Sequence, residues 1–360
     1  MLKIIDRYII KKFMGTFFYA ISLLILIVII FDVSENIDSF IKNEAPLKGI
    51  VIDYYINFIP YFINLFIYLF TFISVIFFTS KMAGDTEIIA ILSSGVSFKR
   101  LLYPYLLSAF ILAIFSFYLG NFLIPKTNQI RRVFKNTYME NLVRDQSRNL
   151  HLQIEPNTFA YVETYNRSLL TGYKFSLEKF DKQRLIYKLM ADKIILDTVN
   201  ARWTLKDYFI RTIDSAGNQY IEKGELMDTA LALKPTDLYK VKEVFEEMNL
   251  YELNAFIASE KEKGSIGYKS FEIEKHKRLA GPVAIIILTI IGVALSSRKV
   301  RGGIGMHLGA GIALTFSYIL LMQVSTVFSA FGNLSPAIAS WIPNIIFLFI
   351  GLYLLKKAPK

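Results

Sequence analysis

The residues that could perform catalysis or hold a metal ion are few in this chain and far apart in sequence. The histidines His151, His276 and His307 do not form H-E-x-x-H or a comparable spacing of metal ligands. No G-x-x-x-x-G-K-[ST] phosphate loop occurs, so we do not expect the chain to hydrolyse a nucleotide itself. Because cysteine is absent, a thiolate metal site, a thiol nucleophile and a disulfide are also excluded. The sequence therefore predicts no catalytic, cofactor or metal site and gives little support to a membrane enzyme.

Two ionisable residues stand close to the interior of long apolar stretches and are functional candidates on that ground. Asp32 follows the first stretch, and His307 lies near the start of the fifth predicted span. Ionisable groups inside a membrane are costly and usually serve a function. Both residues are near a predicted span end, however, where solvation at the membrane interface explains them more simply.

Residues 85–95 carry the most informative pattern outside the apolar stretches. Asp85 suits the N-cap of a helix, Glu87 suits its positive end, and Gly95 suits its C-terminal stop. A helix of about ten residues is therefore predicted. Its apolar residues share a face that needs a partner, namely Ile88, Ile89, Ile91 and Leu92. Either this face rests on the membrane surface, or it docks into a groove of a cytoplasmic protein.

Long apolar stretches are the elements that must position these residues. Hydrophobic residues make up 54% of the 360-residue chain, more than in ordinary soluble domains. Five stretches lack Asp, Glu, Lys and Arg, and turn residues at 329–336 divide the last into two. Each resulting helix can cross roughly 30 Å of hydrocarbon. The predicted spans are about 13–33, 54–80, 101–125, 279–297, 304–328 and 337–355. No small-x-small cleavage pattern closes the first span, so we interpret it as a retained signal-anchor.

Basic residues in the short loops predict the orientation. Thirteen lysines and arginines flank the spans on one side: Lys3, Arg7, Lys11, Lys12, Lys81, Lys99, Arg100, Arg298, Lys299, Arg301, Lys356, Lys357 and Lys360. The short loops on the other side offer only Lys42 and Lys48. The positive-inside rule therefore places both termini in the cytoplasm and the long segment between spans three and four outside. This distribution accounts for the net charge of +11 without a nucleic-acid partner. Residues 1–12 form either an amphipathic helix at the inner headgroups or a plain extension of the first span.

The segment 126–278 has the pattern of an inserted all-β domain. Strand-like runs begin at about Thr158, with turn residues between them. The predicted strands are 159–165, 173–180, 184–197, 203–213 and 220–233. They predict an antiparallel sandwich or open barrel, with helices over 126–148 and 238–263 on either side. Its inward-facing residues, among them Phe175, Leu177 and Ile194, either form a closed core or line an apolar groove for acyl chains.

The predicted architecture is a polytopic α-helical membrane protein with six transmembrane helices, three on each side of the extracytoplasmic domain. It divides the chain into a first membrane part, 1–125, the inserted all-β domain, 126–278, and a second membrane part, 279–360.

Four segments at the span boundaries have a distinctive order and spacing. They are 5–9 (I-D-R-Y-I), 87–95 (E-I-I-A-I-L-S-S-G), 276–282 (H-K-R-L-A-G-P) and 335–344 (S-P-A-I-A-S-W-I-P-N). Each is weak alone, but in combination they resemble the lipopolysaccharide-export permease family LptF/LptG. The likeness covers the whole chain, including the three-plus-three layout. The D-R-Y start is more similar to the LptG branch than to LptF.

The resemblance implies a non-hydrolysing permease subunit of an ATP-driven lipopolysaccharide export transporter in the inner membrane of a Gram-negative bacterium. Its implied partners are a second LptF/LptG-type permease, an LptB-like cytoplasmic ATPase dimer, and LptC-like and LptA-like proteins of a periplasmic bridge. The outer domain is implied to be a periplasmic jellyroll that belongs to this bridge. The short cytoplasmic helix is implied to contact the ATPase through an acidic residue, by position Glu87, with Ile88, Ile91 and Leu92 beside it.

The lipid contacts implied by the resemblance fit this chain less well. Family members hold lipid phosphates with basic residues near the outer end of the first span, where this chain has Asp32 and Glu35 and only Lys42 nearby. The lipid-contact candidates are therefore Asp32, Lys42, Phe175, Leu177 and Ile194. A membrane signalling or assembly scaffold, with an outer sensing domain and a loop that docks a regulator, is the alternative function.

Overall fold

A computed structural model of the chain describes residues 3–139, 146–166, 169–198, 200, 202–238, 245–265, 267–298 and 303–358. Three of the basic residues used for orientation, Lys299, Arg301 and Lys360, lie outside these described residues, as does 239–244 of the second predicted connector helix. The chain forms two compact units. We call Met1–Arg131 with Glu272–Lys360 the membrane unit and Arg132–Phe271 the β unit.

Within the described residues, six helices are long and apolar enough to cross a membrane, which confirms the six predicted spans. They are α1 (Ile4–Lys42), α2 (Leu47–Gly84), α4 (Phe98–Tyr138), α6 (Tyr268–Ser296), α7 (Gly303–Phe331) and α8 (Pro336–Lys356). The described residues also form two shorter α-helices, α3 (Glu87–Ser93) and α5 (Leu250–Glu262). Several spans continue well beyond the apolar stretches, because backbone hydrogen bonds extend a helix into regions where charged side chains are solvated. The first turns of α1 are accordingly a plain extension of the first span.

Two spans contain wider, π-helical turns. They occupy Ile50–Ile56 in α2 and Leu119–Leu123 in α4. A π-helical turn disrupts the regular backbone hydrogen bonds, and side-chain amides satisfy carbonyl groups there. The Asn57 amide donates to the carbonyls of Ile52 and Asp53, at 2.9 and 3.1 Å.

Small residues allow the spans to pack closely. A Cβ at Gly281 would overlap the hydroxyl of Tyr68, and a Cβ at Gly311 would overlap the side chain of Ile76. Close approach at small residues is a usual source of helix association in membranes, where van der Waals contact replaces the hydrophobic effect. These glycines therefore set the distances of α6 and α7 from α2.

The start of α3 differs from its prediction. Asp85 is the C-cap of α2, and Thr86, with a left-handed φ of +63°, occupies the N-cap position of α3 without a side-chain cap hydrogen bond. The predicted N-cap at Asp85 is therefore wrong, because α2 continues four residues beyond the apolar stretch and uses Asp85 to end itself. The predicted stop at Gly95 is confirmed by its φ of +89°.

The β unit contains one six-stranded antiparallel sheet, in which the strands pair in chain order. The strands are β1 (Gln146–Glu155), β2 (Thr158–Asn166), β3 (Thr171–Asp181), β4 (Arg184–Asp197), β5 (Arg202–Ile213) and β6 (Gln219–Thr229). The inserted all-β domain is thereby confirmed. Among the described residues no pairing joins β1 to β6, so the sheet is open rather than closed into a barrel.

One strand was missed. Residues 146–148 were predicted to be helical, but they begin β1, which pairs with β2 along most of its length. The helix before it, the end of α4, stops at Tyr138. Because β1 depends on pairing with β2, its formation is a tertiary effect that local pattern alone did not reveal.

Candidate functional site

The apolar face of α3 packs on the helices of its own membrane unit. Ile88 is only 1% exposed and belongs to a buried cluster that includes Ile9, Phe13 and Leu101. Ile91 and Leu92 pack against the same cluster. The face therefore has an internal partner, which neither sequence alternative anticipated. Ile89 alone of the four apolar residues points away, with 57% of its surface exposed.

The acidic residue of α3 is bonded to the first turns of α1. The hydroxyl of Tyr8 donates to the Glu87 carboxylate, at 3.1 Å to one oxygen and 3.4 Å to the other. This contact joins residues 79 positions apart in sequence and lies at an accessible surface. Glu87 is half-buried, so its carboxylate can bind Tyr8 and still face a molecule that approaches α3.

A second link joins α1 to the start of α4. The guanidinium of Arg100 donates to both carboxylate oxygens of Asp6, at 2.7 and 2.6 Å. Asp6 also accepts the backbone N–H of Lys3, the N-cap residue of α1, at 2.8 Å. The Asp6 side chain is 3% exposed, and bidentate pairs of this kind have a fixed geometry. No local sequence pattern pairs these two residues, because the contact spans 94 positions.

At the opposite end of α1, Asp32 is held by two tyrosines of α2. The hydroxyls of Tyr54 and Tyr55 donate to the two oxygens of its carboxylate, at 3.2 and 3.1 Å. The ring of Phe40 meets both tyrosine rings edge-on. Each oxygen of the Asp32 carboxylate therefore accepts a hydrogen bond from the protein. Solvation by interfacial water alone does not account for this acid near the end of the span.

The cations at this end of α1 are arranged differently from the sequence prediction. Lys42 is exposed at the last residue of α1. Arg131 was not predicted, yet its guanidinium lies over the rings of Phe58 and Tyr61, 5.7 and 5.5 Å from the centroids. Aromatic faces attract and orient a guanidinium. The spacing of Phe58 and Tyr61 by one helical turn was visible in sequence, but the helix that supplies the cation was not.

His307 is also placed differently from the expectation of interfacial solvation. It is 4% exposed, and its Nδ1 lies 2.7 Å from the hydroxyl of Ser80 on α2. The interfacial explanation is therefore wrong for His307, which joins α7 to α2 inside the membrane unit. Among the described residues no three His, Asp or Glu side chains come close enough together to hold a metal ion.

The remaining lipid-contact candidates share one face of the open sheet. Phe175 and Leu177 on β3 and Ile194 on β4 are all buried in the apolar cluster of the β unit. Ile194 pairs with Gly172, where a Cβ would meet its side chain at 2.7 Å. The Trp203 indole N–H donates to the carbonyl of Leu233 at 3.0 Å, which holds the segment after β6 against this face. The structure thus brings these candidates together on one continuous apolar surface.

The other face of the sheet carries a cavity of about 620 Å³. It is lined by side chains of β1 to β3, of α5 and of the residues around them, among them His151, Tyr161, Glu178 and Lys263. Lys263 donates to Glu260 at 2.9 Å and to Asp237 at 3.2 Å. Burial lowers the pKa of the Lys263 ammonium, but the bond to Glu260 and the charges of both acids outweigh this, so its net pKa is raised. The Lys263 ammonium therefore joins the C-terminal end of α5 to the segment that contains Asp237.

Comparison with known proteins gives two findings. The family described as "Lipopolysaccharide export system permease LptF/LptG" matches residues 7–357 of the chain. A curated relative, "Lipopolysaccharide export system permease protein LptG" of Haemophilus influenzae, is 21% identical over 362 aligned residues. The alignment covers 99% of this chain and 99% of the relative.

Proposed function

Since the chain belongs to the lipopolysaccharide export system permease family LptF/LptG, we propose that it is an inner-membrane subunit whose transport is driven by ATP hydrolysis in a partner. The curated LptG relative supports the LptG-like role within this pair of permeases. The partners we propose are a second LptF/LptG-type permease, an LptB-like ATPase dimer, and LptC-like and LptA-like bridge proteins. The substrate is lipopolysaccharide, which leaves the outer leaflet of the inner membrane.

The observation that carries the coupling proposal is the double attachment of α3. Its apolar residues pack into the membrane unit, and its acidic Glu87 is bonded to Tyr8 of the first span. Exposed Ile89 and the half-buried carboxylate of Glu87 remain for a partner surface. Because α3 packs against the spans, a force applied by a partner to the exposed side of α3 acts on the spans directly. We assign ATPase contact to Glu87, and to Ile88, Ile91 and Leu92 the role of anchoring the helix.

The orientation belongs to the same proposal. Both termini and α3 face the cytoplasm, and the β unit faces the periplasm, because basic residues flank the spans on the first side. The division into membrane parts 1–125 and 279–360 with a periplasmic domain 126–278 follows from this orientation.

We propose two sites of lipid contact, one for the phosphates and one for the acyl chains. Lys42, which is exposed, and Arg131, which is held over the rings of Phe58 and Tyr61, supply cations for lipid phosphates. Asp32 acts there by holding Tyr54 and Tyr55, which position the start of α2. Acyl chains then pass over the apolar face that contains Phe175, Leu177 and Ile194. Since that face is covered in the isolated chain, the lipid has to displace the segment near Leu233.

Photo-crosslinking tests the lipid path. A crosslinker at Phe175, Leu177 or Ile194 should capture lipopolysaccharide only when ATP is present. Met190, which is 44% exposed and belongs to β4, is the matched control outside the apolar cluster. Two outcomes would show that the domain is only a structural spacer. One is that Met190 captures as much lipopolysaccharide as the inward positions, and the other is that none of the three inward positions captures any in an active transporter.

The function itself is tested by purification. The chain should co-purify with an ATPase whose turnover rises when lipopolysaccharide is added. A signalling or assembly scaffold has no comparable support, because the family and the relative are both described as export permeases. Co-purification with a regulator, and no ATPase, would favour that alternative.

A further inference from the structure

The first span is tied at its N-terminal end to both sides of the loop that contains α3. Tyr8 binds Glu87 at the start of α3, and Asp6 binds Arg100 in the first turn of the next span. These two residues of α1 are two positions apart, so one short stretch contacts the chain on either side of α3. Ile9, the residue after Tyr8, lies in the same buried cluster as Ile88.

The two links differ in character. The Asp6–Arg100 pair is bidentate, and its carboxylate is almost completely buried and also bonded to a backbone N–H. Such a pair keeps a single geometry, and breaking it leaves a buried charge without a partner. The Tyr8–Glu87 bond is longer, accessible and made by one hydroxyl. The first link therefore fixes α1 on α4, and the second connects it to the residue proposed to face the ATPase.

The first span is one unbroken helix over its whole length. α1 is one continuous helix from Ile4 to Lys42 and contains no proline, the usual cause of a sharp kink. Its far end carries Asp32, which holds Tyr54 and Tyr55 of α2. One unbroken helix therefore connects the Tyr8 contact to the residues proposed for lipid contact.

We infer that α1 and α3 move as one body when the partner ATPase displaces α3. Tyr8, Asp6 and Arg100 are positioning residues that transmit this displacement from Glu87 to the part of the first span that contains Asp32. This inference rests on the proposed function, because the stroke is supplied by the partner ATPase. The movement leaves α3 through the side-chain hydrogen bonds made by the first turns of α1, rather than only through the backbone connections of α3 to α2 and α4.

Spin-label distances test the mechanical link in the permease alone. The chain has no native cysteine, so labels can be placed at exposed Ser94 beside α3 and exposed Ser34 near Asp32. The distance distribution should be narrow, and it should broaden when Tyr8→Phe and Asp6→Asn are combined. Asn at position 6 keeps an acceptor for the Lys3 N–H, and Phe at position 8 keeps the ring, so both variants should fold. Tyr353→Phe, an exposed tyrosine at the end of α8, is the matched control. An equally narrow distribution in the combined variant overturns the inference, whether or not an ATPase binds.

The complete transporter gives the second test. The lipid released per ATP hydrolysed should fall about two- to tenfold in Tyr8→Phe, the range expected for one lost hydrogen bond. Tyr8→Phe and Glu87→Ala together should cost no more than Glu87→Ala alone, because Glu87→Ala already removes the acceptor of the Tyr8 hydroxyl. The swap Asp6→Arg with Arg100→Asp should recover part of what each single change loses. Full additivity of Tyr8→Phe with Glu87→Ala, or an unchanged ratio of lipid released to ATP hydrolysed in Tyr8→Phe, overturns the inference. Absence of any ATPase from the purified complex refutes the proposed function instead, and leaves the label experiment to decide the link.

Discussion

The hydroxyl of Tyr318 on α7 donates to the amide oxygen of Asn344 on α8, at 2.9 Å, while the Asn344 amide nitrogen donates to the carbonyl of Ala280 on α6, at 2.8 Å. One buried side chain thus joins the last three spans. Asn344 ends the S-P-A-I-A-S-W-I-P-N segment, so part of that segment's distinctive pattern has a structural cause.

We therefore predict that Asn344→Leu destabilises the membrane unit. The change leaves the buried Tyr318 hydroxyl without its acceptor, which costs about 1–3 kcal/mol. The thermal midpoint of the detergent-solubilised chain should fall. Gln323→Leu, at an exposed amide of α7, is the control and should change the midpoint little. Equal midpoints for the two variants would contradict the assignment.

Gly311→Ala should destabilise the chain, whereas Gly309→Ala should not. A Cβ at Gly311 overlaps Ile76, and forcing extra volume into a packed contact costs about 1–3 kcal/mol. Nothing lies within 4 Å of a Cβ at Gly309, so alanine there only improves helix propensity, by about 1 kcal/mol at most. Thermal unfolding of the two variants side by side checks the sign of each effect. A stabilising Gly311→Ala would show that α7 is not in close contact with α2.

Glu87→Lys should uncouple transport while the protein remains folded and inserted, because the residue lies on a short accessible helix. The lysine cannot accept the hydrogen bond from the Tyr8 hydroxyl, and its positive charge repels the ATPase surface that binds the Glu87 carboxylate. This repulsion can reach a few kcal/mol when the charge is desolvated. Lipid export and complex assembly are measured together. Glu87→Gln retains an oxygen for Tyr8 and should be milder. Normal export by an assembled Glu87→Lys complex would show that the coupling role lies elsewhere.

The orientation predicts which introduced cysteines can be labelled from outside. Cysteine at exposed Ser215, between β5 and β6, should react with a membrane-impermeant reagent once the outer membrane is permeabilised. Cysteine at exposed Ser94 should react only after the inner membrane is opened. Mass shifts on the same preparation report both. If the cysteine at position 94 reacts before the inner membrane is opened and the cysteine at position 215 does not, the orientation is the opposite of the one proposed.

Lys263 should give the β unit a stability that is lost in strong alkali. Its folded-state pKa is raised, so its contribution is complete below the unfolded pKa of about 10.4 and disappears as the pH rises through the folded value. Lys263→Met should therefore lower the thermal midpoint near neutral pH, and the difference from the unchanged chain should shrink above about pH 10.4. A difference that stays constant across that range would mean that packing, rather than charge, is responsible.

The sequence alone determined the number of spans and the β insertion. Span length and the absence of charges are direct requirements of the hydrocarbon layer, so each span could be recognised from its own residues. The predicted strands 159–165 to 220–233 were similarly visible, because their turn residues and their β-branched and aromatic side chains are local signals. The family resemblance also came from short segments in a fixed order.

Only the tertiary structure decided what the candidate residues touch. The partners of Glu87, Asp6 and Asp32 lie 79, 94 and 22 or 23 positions away, and no local pattern encodes such pairs. The same is true of β1, which exists by pairing with β2, and of Arg131, whose aromatic cradle belongs to another helix. Even the apolar face of α3 could be recognised but not interpreted. Amphipathicity shows that a face must be buried, and packing alone shows that the spans themselves bury it.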